Sequence, residues 1–266
     1  MDLWAVDCHV HFYDGYDVDL AVSSAWKNVQ SLDGPRPLGQ CWCLASPPGT
    51  SGLDILRSMA EQQLSNTRIV SLRDSDGGDI VLLERKEGPI VVVPGTQAIS
   101  VEGLEVLSLG VELPAIRPTG LAALVDRVKA LGGLPVVPWG VGKWLGRRGQ
   151  LVSRLLQDAE ATDTLLLADN ANRPWWWPFP GLLKKAADAG LTIVSGSDPL
   201  PIRGDEKRIA SAGVYCSVQS VETAWQQIRQ SLLSSQNSSV RIYGKPMSTA
   251  RFWRNQILLR LSSGRS

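Results

Sequence analysis

Both histidines of this 266-residue chain lie in one short stretch near its start, AVDCHVHFYDGYD. His9 and His11 end an apolar run, LWAVDCHV, that we predict to be a buried strand. Side chains alternate along a strand, so Asp7, His9 and His11 share one face. Two imidazoles on one face can bind the same divalent ion. The spacing predicts a metal site; the alternative is one core histidine and one exposed histidine.

A carboxylate follows a second predicted buried strand, in the stretch LTIVSGSDPLP. In parallel α/β folds the catalytic groups collect where strands end, at the carboxyl edge of the sheet. Asp198 at such a strand end can be a metal ligand or a general base. The alternative is a turn aspartate, because Asp-Pro favours turn initiation.

A third strand end carries several polar residues, in LLLADNANRPWWWPFP. Asp169, Asn170, Asn172 and Arg173 follow the predicted strand closely, and we expect Asn170 and Arg173 to hold a substrate at the rim of the sheet. The alternative is that the Asn and Asp side chains only form a turn.

Further candidate substrate contacts are cationic or aromatic. Lys143 follows a predicted strand and can bind an anion, and Arg203 follows the Asp198 strand and can clamp a phosphate. Solvated, salt-bridged loops are the alternative for both. Trp175, Trp176 and Trp177 are consecutive, and they can line a pocket or form a surface for a protein partner.

The composition restricts the class of protein. The formal net charge is +1, so no bulk field attracts nucleic acid or an anionic membrane. The start of the chain resembles no signal peptide, and no apolar run is long enough to span a bilayer. Four cysteines do not make a disulfide framework. We therefore expect a soluble, cytoplasmic protein with no membrane or nucleic-acid partner.

Apolar strands alternate with amphipathic helices through most of the chain, which predicts an α/β fold with a parallel sheet. Residues 67–112 differ, because β-rich runs there are separated by SDGGD, KEGP and VEG, which indicate hairpins. No linker or internal repeat divides the sequence, so we expect one domain over residues 1–266.

Four motifs in order resemble the polymerase-and-histidinol-phosphatase (PHP) family, which is related to the amidohydrolases. They are His-x-His on the first strand, PGTQAISVEGLEVLSLG, GGLPVVPWG and VSGSDPL. The resemblance implies a distorted, TIM-like (β/α)7 barrel and a multinuclear metal centre that hydrolyses phosphoesters. It implies that His9, His11 and Asp198 are metal ligands.

Other ligand positions of the family are changed in this chain. Gln97 stands where the family has a glutamate, Pro138 and Trp139 where it has a histidine, and Leu200 where its closing Asp-x-His motif has the histidine. Gln97 offers only a neutral oxygen to a metal. Two histidines and one aspartate still match the 2-His-1-carboxylate set for one ion, and carboxylates at Asp7 and Asp14 could compensate.

We therefore expect a metal-dependent hydrolase, preferentially a phosphoesterase, with a reduced site that binds one zinc, manganese or iron ion. Asp198 would be a ligand or take a proton, and Arg173, Arg203 or Lys143 would steady a small anionic substrate, with Asn170 and Trp175 beside it. Two alternatives remain at this point. One is a catalytically inactive binding or scaffold module that uses Trp175 to Trp177 as its contact surface, and the other is an amidohydrolase that acts on a C–N bond.

Overall fold

The computed structural model describes residues 2–32, 34–64, 67–73, 78–158, 164–234 and 240–263. In chain order the elements are β1 (Asp2–Val10), α1 (Val18–Gln30), β2 (Gly39–Leu44), α2 (Gly52–Gln63), β3 (Arg68–Arg73), β4 (Asp79–Arg85), β5 (Gly88–Val93), β6 (Gly95–Ile99), β7 (Glu105–Leu109), α3 (Leu121–Ala130), β8 (Leu134–Pro138), α4 (Gly146–Asp158), β9 (Leu166–Asn170), α5 (Gly181–Asp188), β10 (Ile193–Gly196), a 3-10 turn (Asp205–Arg208), β11 (Ala212–Val218), α6 (Ala224–Leu233), β12 (Arg241–Gly244) and α7 (Thr249–Ser263). None of the helices in these ranges is long and apolar enough to cross a bilayer.

The described strands form two mixed sheets. The larger has the order β12-β11-β1-β2-β5-β4-β3, and the smaller has the order β10-β9-β8-β7-β6. In the larger sheet β1 pairs parallel to β2 and antiparallel to β11. In the smaller sheet β9 pairs parallel to both β8 and β10, whereas β7 pairs antiparallel to β6 and β8.

The expectation of a closed (β/α)7 barrel is wrong, because the hydrogen-bonded strands form two separate sheets. The physical reason lies in residues 67–112. A parallel ring needs a helical crossover between successive strands, but β3 to β7 follow one another without a helix and pair as antiparallel neighbours at β3-β4, β4-β5 and β6-β7. These strands extend both sheets at an edge and do not continue a ring.

The inner faces of the two sheets pack against each other around a shared apolar core. Val6, Cys8 and Val91 of the larger sheet and Leu107 and Val136 of the smaller sheet belong to this core and are at most 1 % exposed. Helices α1 and α2 cover the outer face of the larger sheet, and α3 and α5 pack on the smaller sheet. The central strands β1, β2 and β8 therefore bury both of their faces, whereas β3 and β12 at the edges of the larger sheet stay partly exposed.

One buried carboxylate connects the end of β1 to the segment that follows β10. Asp7 is fully buried and accepts hydrogen bonds from the backbone N–H of His9 at 3.1 Å, Ser197 at 2.9 Å and Ala210 at 2.8 Å. The Ser197 hydroxyl donates a fourth hydrogen bond at 2.5 Å. Burial raises the pKa of Asp7 to about 6, against the lowering effect of these hydrogen bonds.

We expect Asp7→Asn to destabilise the fold. Both carboxylate oxygens now accept hydrogen bonds, and the substitution replaces one of them by an NH₂ group, which can only donate. At least one buried N–H then has no acceptor, which costs about 1–3 kcal/mol. Urea denaturation measures the loss of unfolding free energy. Asp14→Asn is the matched control, because Asp14 is exposed and the same substitution there should be neutral. Equal stabilities for the two variants would contradict the role given to Asp7.

The two sheets also approach closely at Gly95, the first residue of β6. A Cβ atom there would lie 2.1 Å from the Leu44 carbonyl oxygen and 2.6 Å from that of Ser108. Because both neighbours are backbone atoms, Gly95→Ala must displace a strand, and we expect about 2 kcal/mol of destabilisation or more.

Gly181→Ala is the control for this variant, since Gly181 begins α5 with open space around its Cα. We expect its midpoint of thermal unfolding to be unchanged or slightly raised, because alanine favours the helix. A Gly95→Ala midpoint equal to that of Gly181→Ala would show that the sheets tolerate separation at this point.

Candidate metal centre

The end of β1 delivers both histidines to one place. The register between β1 and β2 shifts between Asp7 and Val10, and such an irregularity changes the direction of the side chains beside it. Gly196 at the end of β10 allows β1 to lie very close, because a Cβ on this glycine would be 2.5 Å from the backbone nitrogen of His9. Two residues later, the backbone N–H of Asp198 donates to the His9 carbonyl at 2.9 Å.

This contact places the Asp198 carboxylate beside the two imidazoles. Oδ1 of Asp198 is 3.5 Å from His9 Nε2 and 3.7 Å from His11 Nε2, and the two ring nitrogens are 3.1 Å apart. His9 is buried, whereas the side chains of His11 and Asp198 are 11 % and 18 % exposed. The three residues that the strand ends predict as metal ligands therefore come together.

Gln97 of β6 completes the cluster from the opposite sheet. Its Oε1 lies 2.8 Å from His9 Nε2 and 3.2 Å from His11 Nε2. Gln97 thus brings a neutral amide oxygen to both imidazoles and adds no charge to the cluster. The neutral amide leaves Asp198 as the one carboxylate of the cluster.

Asn170, Asn172 and Arg208 fix the position and orientation of Asp198. Its Oδ2 accepts from Asn170 Nδ2 at 3.0 Å and from Asn172 Nδ2 at 2.8 Å. Arg208 donates to Asn172 Oδ1 at 2.8 Å and to the Ser197 carbonyl at 2.9 Å. With Oδ2 occupied by the two amides, Oδ1 is the oxygen that faces the imidazoles.

The backbone at Asp198 is in an unusual conformation, with φ of +45°. Non-glycine residues seldom adopt this left-handed region, although Asp and Asn tolerate it better than most. Two hydrogen bonds hold the residue there. Asn172 donates to the Asp198 carbonyl, and the Asp198 N–H donates to the His9 carbonyl. Backbone strain of this kind concentrates at functional sites.

The electrostatics favour the protonation states that bind metal. Burial lowers the pKa of His11 from 6.5 to about 4, and the neighbouring His9 adds to this effect. Burial by itself would raise the pKa of Asp198, but the imidazoles, the Asn172 hydrogen bond and Arg208 together lower it. At neutral pH the cluster therefore presents a neutral His11 imidazole and a carboxylate, the forms that ligate a cation.

The donor set and its spacing fit one divalent ion. Ligand atoms at about 2.1 Å from an ion lie about 3.0–3.4 Å from one another in octahedral or tetrahedral geometry. The distances of 2.8–3.7 Å among the ring nitrogens and the oxygens of Gln97 and Asp198 lie around this range. His9, His11 and Asp198, called the metal-binding triad below, thus have the geometry and the chemistry to hold a metal ion.

A cavity of about 360 Å³ opens onto this triad. His11, Asp198 and Gln97 line one side of it, and Lys143 lines it together with Glu105. Lys143 Nζ and a Glu105 carboxylate oxygen form an ion pair. The predicted substrate contacts Asn170 and Lys143 therefore lie at the same cavity as the triad.

The other predicted contact residues lie elsewhere. Arg173 Nε donates to the Asp169 carboxylate at 2.9 and 3.0 Å, and one of its terminal nitrogens donates to the Trp177 carbonyl. Arg203 is exposed. Neither arginine is among the described residues that line the cavity, and Trp175 is not among them either.

The three consecutive tryptophans divide between core and surface. Trp175 and Trp176 are 67 % and 42 % exposed, whereas Trp177 packs on the buried Trp139 with ring centroids 5.8 Å apart. Trp139, which stands at a histidine position of the PHP family, is thus part of the core. The carboxylates of Asp7 and Asp14 do not join the triad. Asp14 is exposed, and both oxygens of Asp7 already accept hydrogen bonds.

Sequence patterns alone did not identify Arg208 as part of the site. It lies in a charged stretch, RGDEKR, that is typical of a solvated loop, yet it is only 4 % exposed. Its guanidinium sits 3.2 Å from Asp205 Oδ2 and supports Asn172 and Asp198. Arg208 is a positioning residue for the triad, and no local sequence signal distinguishes it from its exposed neighbours.

Comparison with known proteins supports the fold alone. No family model matches the chain, and no curated protein matches it. Among solved structures, the crystal structure of PsfC from Pseudomonas syringae PB-5123 is similar over 98 % of this chain and 99 % of that chain, with a TM-score of 0.52 and 13 % sequence identity. At this identity the likeness concerns the arrangement of the backbone, and the chemistry of the site must be argued from the residues of this chain.

Proposed function

We propose that this protein is a metal-dependent hydrolase that acts on phosphoesters with a single divalent ion bound by His9, His11 and Asp198. The observation that carries the proposal is the convergence of two imidazole nitrogens and one carboxylate oxygen beside a cavity that His11 and Asp198 line. Both histidines come from the end of β1, and Asp198 comes from the segment after β10. The cluster offers one face to the cavity, where a substrate can approach.

The ligand chemistry favours zinc, manganese or iron. Two imidazoles and one carboxylate suit these ions, whereas calcium and magnesium prefer all-oxygen sites. Gln97 offers a neutral oxygen as a fourth ligand without adding charge. Because the cluster has one carboxylate, its negative charge suits one divalent ion better than two neighbouring divalent ions.

Each residue of the site would have a separate role in the proposed hydrolysis. Polarisation of the scissile group is the chemistry that a bound divalent ion supplies. Asp198 serves as a ligand through Oδ1, because its Oδ2 accepts from Asn170 and Asn172. Lys143 faces the same cavity and would attract an anionic substrate, while its pairing with Glu105 holds the ammonium in place.

A phosphoester is the substrate class that two independent features support. One is Lys143, whose ammonium lines the cavity beside the triad and could contact an anionic group once its ion pair with Glu105 opens. The other is the resemblance of four ordered motifs to those of the PHP family. Arg173 and Arg203 stay predictions as phosphate contacts, and the Asp169 ion pair would have to open before Arg173 could reach a substrate.

We expect purified protein reconstituted with zinc or manganese to hold one ion per chain by elemental analysis. His11→Ala removes a ligand and should weaken metal affinity about 100-fold or more, since removing a residue that only hydrogen-bonds to a ligand already weakens it about 10–100-fold. Asp198→Asn should weaken it similarly, because the amide keeps the shape and tolerates the backbone conformation but loses the charge.

Asp14→Asn is the matched control for Asp198→Asn, because it removes an exposed carboxylate close to the histidines in sequence. It should leave the metal affinity unchanged. A wild-type chain without stoichiometric metal, or a His11→Ala chain with wild-type affinity, would overturn the metal-site assignment. Hydrolysis of p-nitrophenyl phosphate that depends on added metal and is lost in His11→Ala would support the phosphoesterase.

The position of Gln97 between the two imidazoles generates a separate prediction. Gln97→Glu puts a carboxylate where Oε1 now contacts both rings, so we expect metal affinity to rise about tenfold or more. Gln97→Leu fills a similar volume without an oxygen and should lower it. Isothermal titration with zinc or manganese measures both changes. Identical affinities in the two variants would show that Gln97 does not reach the ion.

A binding module without catalysis is the second candidate. The exposed indole surfaces of Trp175 and Trp176 favour it, since large exposed aromatics are typical of protein–protein contacts. It predicts no metal-dependent turnover of any ester. Turnover of amides or lactones and not of phosphoesters would instead support hydrolysis of a C–N or related bond at the same triad.

A further inference from the structure

A second cavity, of about 310 Å³, lies on the other side of the segment that carries Asn170 and Asn172. Three cationic side chains line it: Arg208, Lys245 and Arg251. None of the described residues that line it is acidic. After Glu222 the printed sequence contains no further Asp or Glu side chain.

Arg208 forms the buried part of this cavity. Its side chain is held by Asp205, by Asn172 and by the Ser197 carbonyl, so it is fixed before any ligand arrives. Asp205 offsets much of the charge of this guanidinium. The remaining positive charge of the cavity therefore comes mainly from the other two cations.

Lys245 and Arg251 are exposed at the rim, and within the described part of the chain neither forms an ion pair. Arg251 lies in the first turn of α7, a 15-residue helix that begins at Thr249. The first backbone N–H groups of a helix lack intrahelical acceptors and carry partial positive charge. The hydroxyl-bearing residues Ser211 and Ser248 also line the cavity.

We propose that this cavity, the basic cleft of Arg208, Lys245 and Arg251, binds a phosphate group. A phosphate carries up to two negative charges and several acceptor oxygens, which match two unpaired cations, hydroxyl donors and a fork-shaped guanidinium. Bare carboxylates would use fewer of these donors. The cleft is separate from the cavity at the metal-binding triad, and the proposal does not depend on hydrolase activity.

The basic cleft is physically connected to the metal-binding triad. Arg208 lines the cleft and also donates to Asn172, which holds Asp198. Met247 lines both cavities. A phosphate in the cleft would therefore lie against the guanidinium that positions the Asp198 carboxylate.

The test is a calorimetric titration of the full chain with inorganic phosphate at constant ionic strength. We expect Lys245→Ala/Arg251→Ala to weaken binding about tenfold or more, because two charge-assisted contacts are lost. Arg254→Ala is the matched control, since Arg254 is an exposed arginine of the same helix that does not line the cleft. It should bind phosphate as the wild type does.

His11→Ala separates the basic cleft from the metal-binding triad. With both proteins freed of metal by a chelator, the proposal expects this variant to bind phosphate with wild-type affinity, whether or not the chain is a hydrolase. If His11→Ala lost phosphate binding while Lys245→Ala/Arg251→Ala kept it, the phosphate would lie at the triad and the proposal would be overturned. Equal weakening in the double variant and in Arg254→Ala would indicate non-specific attraction and would overturn it as well.

A parallel titration with glycerol 3-phosphate identifies the source of the phosphate group. Tighter binding of the ester than of inorganic phosphate would indicate that the basic cleft takes a phosphorylated small molecule. Equal or weaker binding would indicate the free anion. Either result supports the cleft as a phosphate site, provided that Lys245→Ala/Arg251→Ala weakens the binding of that ligand. If the wild type bound neither ligand, the proposal would be refuted.

Discussion

The site depends on a fully buried carboxylate, Asp7, against which none of the described residues places a cation. Asp7 accepts four hydrogen bonds, and their donors come from the end of β1, from the segment after β10 and from the backbone before β11. Burying a carboxylate in this way is unfavourable unless every oxygen is satisfied. Satisfying both oxygens requires Ser197 and Ala210 to lie beside β1. As a result, Asp198 reaches His9 and His11.

A second layer of polar side chains turns this proximity into a defined geometry. Asn170 and Asn172 hold one oxygen of Asp198, so that the other faces the imidazoles. Arg208 in turn holds Asn172. Ligands held by fixed neighbours lose little entropy when an ion binds. The same guanidinium lines the basic cleft, so both cavities are built on one hydrogen-bonded network.

The two-sheet architecture explains where the cavity lies. The histidines come from the larger sheet, whereas Gln97 and Glu105 come from the smaller one, and the cavity opens where the two meet. The sheets touch at Gly95 and at the junction of β1 with the segment after β10.

Features governed by local periodicity were determined by the sequence itself. Alternation along β1 placed His9 and His11 together, and the buried run before Asp198 identified a strand end. The contact of Gln97 with both imidazoles and the burial of Arg208 were decided only by tertiary structure, because Gln97 lies 88 residues from His9 and Arg208 sits in a stretch typical of solvent-exposed loops. Whether the strands close into a barrel was also decided there, since strand order depends on long-range pairing at the hairpins and not on the pattern within any one strand.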